Sequence, residues 1–212
     1  MDTNENEPHL DLSVDLKSFF QDALGAALSE RGVEATEPTS HYLVGLLADY
    51  AHPGDLVQET LERPLPFLLQ EALATTGSER FDRLRALGDA VLYTSGFFLD
   101  HLEVRGVELD YASRLGARAY GGAASMLRRG AGSTQGEHQR APELFQELSD
   151  GFHRFARVLA TVADGLFASS SQVNDTGMLR LYERWLRTGS SQLAQALAAQ
   201  GVVPTRGRGG LN

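Results

Sequence analysis

Four residues on one stretch of the chain carry side chains, or a gap, that could do chemistry together: Asp89, Tyr93, Gly96 and Asp100. They recur at i, i+4, i+7 and i+11, the spacing of one helical face. Two carboxyls, a phenol and the space beside a glycine would make a polar pocket. Tyr111 and Tyr120 would line the same pocket if the next helix folds back on this one. These six are the candidate ligand-binding residues. The spacing also limits the chemistry. A rise of ~1.5 Å per residue puts Asp89 and Asp100 ~16 Å apart, too far to share a metal ion. A glycosidase pair needs its carboxyls within about 5 to 9.5 Å. The plainer reading is structural: a carboxylate on a buried helix is costly unless a neighbour supplies an arginine or a backbone amide.

Other constellations yield less. Asp150 and His153 have the Glu-x-x-His type of spacing found in di-iron bundles. Both lie more than ~100° from the apolar stripe of their helix, so they should face outward. The glycine-rich run from Gly130 to Gly136 lacks the Gly-Lys-Ser/Thr ending of a phosphate loop, and no strand precedes it. No Gly-x-Ser-x-Gly elbow is present. The chain has no cysteine, which removes thiolate catalysis, disulfides and zinc-cysteine sites. No catalytic residue, metal site or cofactor is therefore assigned. Arg180, Arg184 and Arg187 fall on the face of their helix opposite Tyr182 and Trp185, a possible anion or partner surface.

The elements that must position these residues are helical, because apolar residues recur at three and four almost throughout. The expected fold is all-α, a single-domain bundle of seven or eight helices over residues 13–203. An acidic mobile arm over 1–12 precedes it and a flexible tail over 204–212 follows. Helix four should run from Ser78 as N-cap to about Arg105, before Gly106. Phe81, Leu84, Gly88, Val91, Leu92, Ser95, Phe98, Leu99 and Leu102 form one face, while Ala86, Ala90, Tyr93 and Phe97 lie opposite. A helix apolar nearly all round has neighbours on several sides. Gly88 and Gly96 inside it cost ~1 kcal/mol each relative to alanine. Close approach of another helix would compensate. Helix five, about 110–128, offers matching small residues in Gly116, Ala119, Gly121 and Gly122. Helix six should span about 142–168.

Composition narrows the partners. The chain has 212 residues, 42% hydrophobic and 22% charged, with a net charge of -9. That is enough length for a core without staples. The negative balance opposes binding to nucleic acid and to anionic lipid. No apolar run nears the ~18 residues that span a bilayer. The polar, acidic start is unlike a signal peptide, so the expected compartment is the cytoplasm.

The run Gly88-Asp89-Ala90-Val91-Leu92-Tyr93-Thr94-Ser95-Gly96-Phe97-Phe98-Leu99-Asp100, with Asp110-Tyr111 and Ala119-Tyr120 after it, resembles a segment in a family of uncharacterised all-helical proteins of Gram-negative bacteria. Leu181-Tyr182-Glu183-Arg184-Trp185-Leu186-Arg187-Thr188-Gly189-Ser190 is similar to a second such segment. The resemblance implies a bacterial helical domain and carries over no activity. The leading expectation is a non-enzymatic module that binds a protein partner or a second copy of itself. The first alternative is a small-molecule sensor or carrier with its pocket between helices four and five. The second is an enzyme with an unrecognised helical active site.

Overall fold

The computed structural model describes residues 12–51, 63–98, 108–130, 142–170 and 175–205. Every regular element among them is an α-helix. In chain order they are α1 (Leu12–Arg31), α2 (Glu37–Ala51), α3 (Leu65–Ala74), α4 (Gly77–Phe97), α5 (Leu109–Arg128), α6 (Pro142–Asp150), α7 (Phe152–Ser170), α8 (Asp175–Thr188) and α9 (Ser191–Ala199). The expected terminal arm and tail, except for residues 12, 204 and 205, lie outside the described residues. So do most of the glycine-rich loop and all of 99–107.

Local chemistry sets the ends. Gly32 closes α1 in the left-handed conformation, at φ 59°. The N–H of Val33 then bonds back to Leu28 O at 3.0 Å, as glycine-terminated helices commonly do. Thr36 caps α2, its Oγ1 accepting from Thr39 N–H at 3.4 Å.

Three expectations need correction. Nine helices appear among the described residues, not seven or eight, because Gly151 interrupts the expected sixth helix. The hydrogen-bond ladder still crosses the break, with Gly151 N–H on Glu147 O at 2.8 Å and Phe155 N–H on Gly151 O at 2.9 Å. A Cβ at 151 would sit 2.6 Å from the Phe155 ring, so the bend and this ring contact need glycine. Next, α4 starts at Gly77 with Thr76 before it and no side-chain cap, rather than at a Ser78 cap. It also ends at Phe97. Phe98 is the half-turned residue after it and stays 44% exposed, not in the core. Finally, Gly96 does not face helix five. Its missing Cβ would lie 2.6 Å from Leu159 of α7.

Every residue from Leu87 to Gly96 is buried, whereas Ala86 is exposed. α4 packs against α2, α3, α5 and α7, most extensively against α5. Small residues let the α4–α5 pair close up. A Cβ on Gly88 would meet the Tyr120 ring at 2.6 Å, and one on Gly122 would meet Leu84 at 3.1 Å. A smaller apolar cluster, built on Leu181, Trp185, Leu193 and Leu197, holds α8 to α9. No helix among the described residues is long and apolar enough to cross a membrane.

Candidate functional site

Asp89 sits in the middle of the buried run of α4. Gly88, one residue earlier, removes the Cβ that would keep the Tyr120 ring off the helix. Tyr120 can therefore lie against α4 and donate its hydroxyl to Asp89 Oδ1 at 2.7 Å. From the other side Tyr42 of α2 donates to the same oxygen at 2.6 Å. Phe145 of α6 wedges between the two phenols, its ring edge-on to Tyr42 at 5.5 Å and 6.0 Å from Tyr120. One carboxylate oxygen thus joins α2, α4 and α5. Arg85, one turn earlier on α4, adds its charge, but no ion pair joins it to Asp89 among the described residues. The expected arginine or backbone-amide partner is replaced by two phenols.

Burial pushes the Asp89 carboxyl up to about 6, against the pull of the Tyr42 bond, the Arg85 charge and the Tyr120 bond. Burial, and then the Asp89 charge, holds both phenols well above their ordinary value. Each is a donor at any ordinary pH and offers neither a base nor a nucleophile. The folded-state pKa of Asp89 lies above its ordinary 3.8. The folded protein therefore keeps this proton longer than the unfolded chain. The resulting stability is fully present below about pH 4 and is lost as pH rises through about 6. A gap of that size is worth about 3 kcal/mol. Asp89→Asn cannot titrate. In urea melts it should gain about that much on wild type between pH 4 and 7.5. A constant difference between the two proteins across that range would show an ordinary, solvated carboxyl.

The other expected site residues do not gather here. Tyr93 turns toward α2, its ring 4.7 Å from Tyr50 and stacked on Phe97 at 4.6 Å. Its hydroxyl donates to Tyr50 O at 3.3 Å. Gly96 is closed by Leu159, Tyr111 is 42% exposed, and Asp100 lies outside the described residues. Of the six, Asp89 and Tyr120 meet. Tyr42, not singled out in the sequence, completes the set.

The three arginines of α8 share one face but not one environment. Arg180 and Arg187 are exposed, but Arg184 turns inward. Its Nε donates to Asp164 Oδ1 of α7 at 2.5 Å. Its Nη1 and Nη2 donate to Phe97 O and Gly96 O at 3.2 and 3.5 Å. Its guanidinium carbon lies 4.5 Å from the Phe167 ring centre. Arg184 therefore caps the C-terminal carbonyls of α4, where a cation is favoured. A third carboxylate, Glu147 of α6, accepts from Thr36 N–H, Thr36 Oγ1 and Thr39 Oγ1. Burial alone would raise it, but these hydrogen bonds outweigh burial and hold it below its ordinary value. Among the described residues no group of three or more His, Asp or Glu could hold a metal ion.

An open groove of about 410 Å³ lies elsewhere, over the outer face of α5 between α3 and α6. None of the candidate residues among those described lines it. Neither a family model, nor a curated protein, nor a solved structure matches the chain.

Proposed function

We propose that this protein is a non-enzymatic helical module that acts by binding a protein partner, in the cytoplasm of a bacterial cell. The observation that carries the reading is the use made of Asp89. It is satisfied by Tyr42 and Tyr120 between packed rings, so it is held for the fold rather than presented to a substrate. Asp164 and Glu147 are likewise committed to side chains of neighbouring helices. In this reading α4 is the central helix, apolar nearly all round. Its unbroken burial from Leu87 to Gly96 and its four helical neighbours support that role. The bacterial compartment rests on the two segments that resemble a Gram-negative family.

Native mass spectrometry of the protein purified from its own host tests the reading. The expected spectrum carries a second polypeptide on this chain. A single chain that retains a small molecule would replace the module by a carrier. A bare single chain would remove the binding reading as well.

A further inference from the structure

The outer face of α5 concentrates positive charge on an acidic molecule. The helix and its two capping residues hold Arg114, Arg118, Arg128 and Arg129 against Glu108 and Asp110, both at the far end from Arg129, in a chain of net charge -9. Arg118 and Arg129 are exposed on the rim of the open groove. Among the described residues no carboxylate lines it. Its apolar wall is Leu69 and Leu73 from α3, with Leu73 39% exposed, and Leu84 of α4, only 1% exposed, closes the bottom. Its floor is the backbone of α5 at Gly121 and Gly122. Packing beneath explains part of that floor. A Cβ on Gly121 would lie 3.1 Å from Ser149 Oγ, which is itself bonded to Ala117 O at 2.8 Å. What packing leaves is a shallow apolar trough with a cationic edge.

We propose that this groove receives an amphipathic helix of a partner protein, its leucine-sized side chains against Leu69 and Leu73 and its flanking carboxylates at Arg118 and Arg129. The proposal rests on the binding reading above and names the surface and the chemistry of the partner. Helix-in-groove recognition works through apolar anchors at i, i+3 or i+4, and i+7, with charge setting the choice of partner. A nucleic acid fits less well, because its closely spaced phosphates would meet leucine walls between the two arginines.

The probe is a fluorescein-labelled helical peptide with leucines at i, i+4 and i+7 and glutamates flanking them, titrated with the full chain by fluorescence anisotropy. Its twin carries lysine for glutamate. The expected result is saturable binding of the acidic peptide, no binding of the twin, and at least a tenfold loss in Arg118→Glu/Arg129→Glu. Both arginines are exposed and Arg129 gives up only a surface hydrogen bond to Ser125 O at the end of α5, so that variant should stay folded with a slightly lowered melt. Gly121→Leu, which fills the floor, should lose the peptide too. The proposal is overturned if the acidic peptide does not bind, if both peptides bind alike, or if the variants bind as wild type does. Competition by an unlabelled DNA duplex would make the surface a nucleic-acid site instead. A concentration-dependent dimer that the same substitutions dissolve would make the occupant a second copy. If the peptide fails while the native spectrum still carries a second polypeptide, the groove is wrong and the binding reading stands.

Discussion

Asp164→Ala is expected to lower the unfolding free energy by about 3 to 5 kcal/mol, the cost of removing one partner from a buried ion pair. The Asp164 side chain is 1% exposed and that of Arg184 14%. Alanine would leave the guanidinium facing two carbonyl oxygens with no counter-charge. Arg184→Met strips the same pair from the other side and also uncaps the end of α4 at Gly96 and Phe97. The double variant should lose less than the two single losses added together, because an apolar pair needs no counter-ion. Urea melts of the three proteins measure this directly. Losses that simply add would mean that the two residues do not depend on each other.

Gly88→Leu should be comparably damaging by a different route. Its Cβ alone would sit 2.6 Å from the Tyr120 ring, and Tyr120 is fully buried. Overpacking of this kind costs about 1 to 3 kcal/mol. Moving the ring also withdraws a hydrogen bond from Asp89, and a buried group left unsatisfied costs about 1 to 3 kcal/mol more. Tyr120→Ala opens the space again, so Gly88→Leu should be far milder on that background. An equal loss on both backgrounds would place the strain somewhere other than the Tyr120 contact.

Much of the frame was legible in the chain. The expected helix five, about 110–128, is found as Leu109–Arg128, and the expected start of helix six at about 142 is found at Pro142. The small residues of α4 and α5 announced a close crossing, which Gly88 on Tyr120 and Gly122 on Leu84 make real. A glycine shows that something approaches but not what. Residue size pairs Gly96 with α5, whereas its neighbour is Leu159 on α7, a contact 63 residues away in the chain. Phe98 fits the apolar spacing of a longer helix, but the α4 helix stops one residue before it, and periodicity does not see where a chain turns.

The polar pairs were less legible for the same reason. Asp89 stood out as a carboxylate on an apolar helix. Tyr42, 47 residues earlier, looked like one more member of the stripe of α2, because a phenol packs as an aromatic and declares its hydroxyl only once a partner arrives. Arg184 shares its spacing with Arg180 and Arg187 and so looked like surface. Asp164 gave no sign of this either: it falls on the same face of α7 as His153, away from the apolar stripe, and Arg184 reaches it there from α8. A buried acid there calls for a cation, and α8 supplies the arginine that reaches it.

The role of Asp89 as an internal clamp is tested most directly by following its carboxyl carbon by NMR in aspartate-labelled protein while pH is varied. The midpoint is expected at about 6, pushed up by burial against the pull of Tyr42, Arg85 and Tyr120, and the Tyr42 and Tyr120 ring signals should shift with it. A midpoint near the ordinary 3.8, with those rings unmoved, would mean a solvated carboxyl open to a ligand and would contradict the clamp.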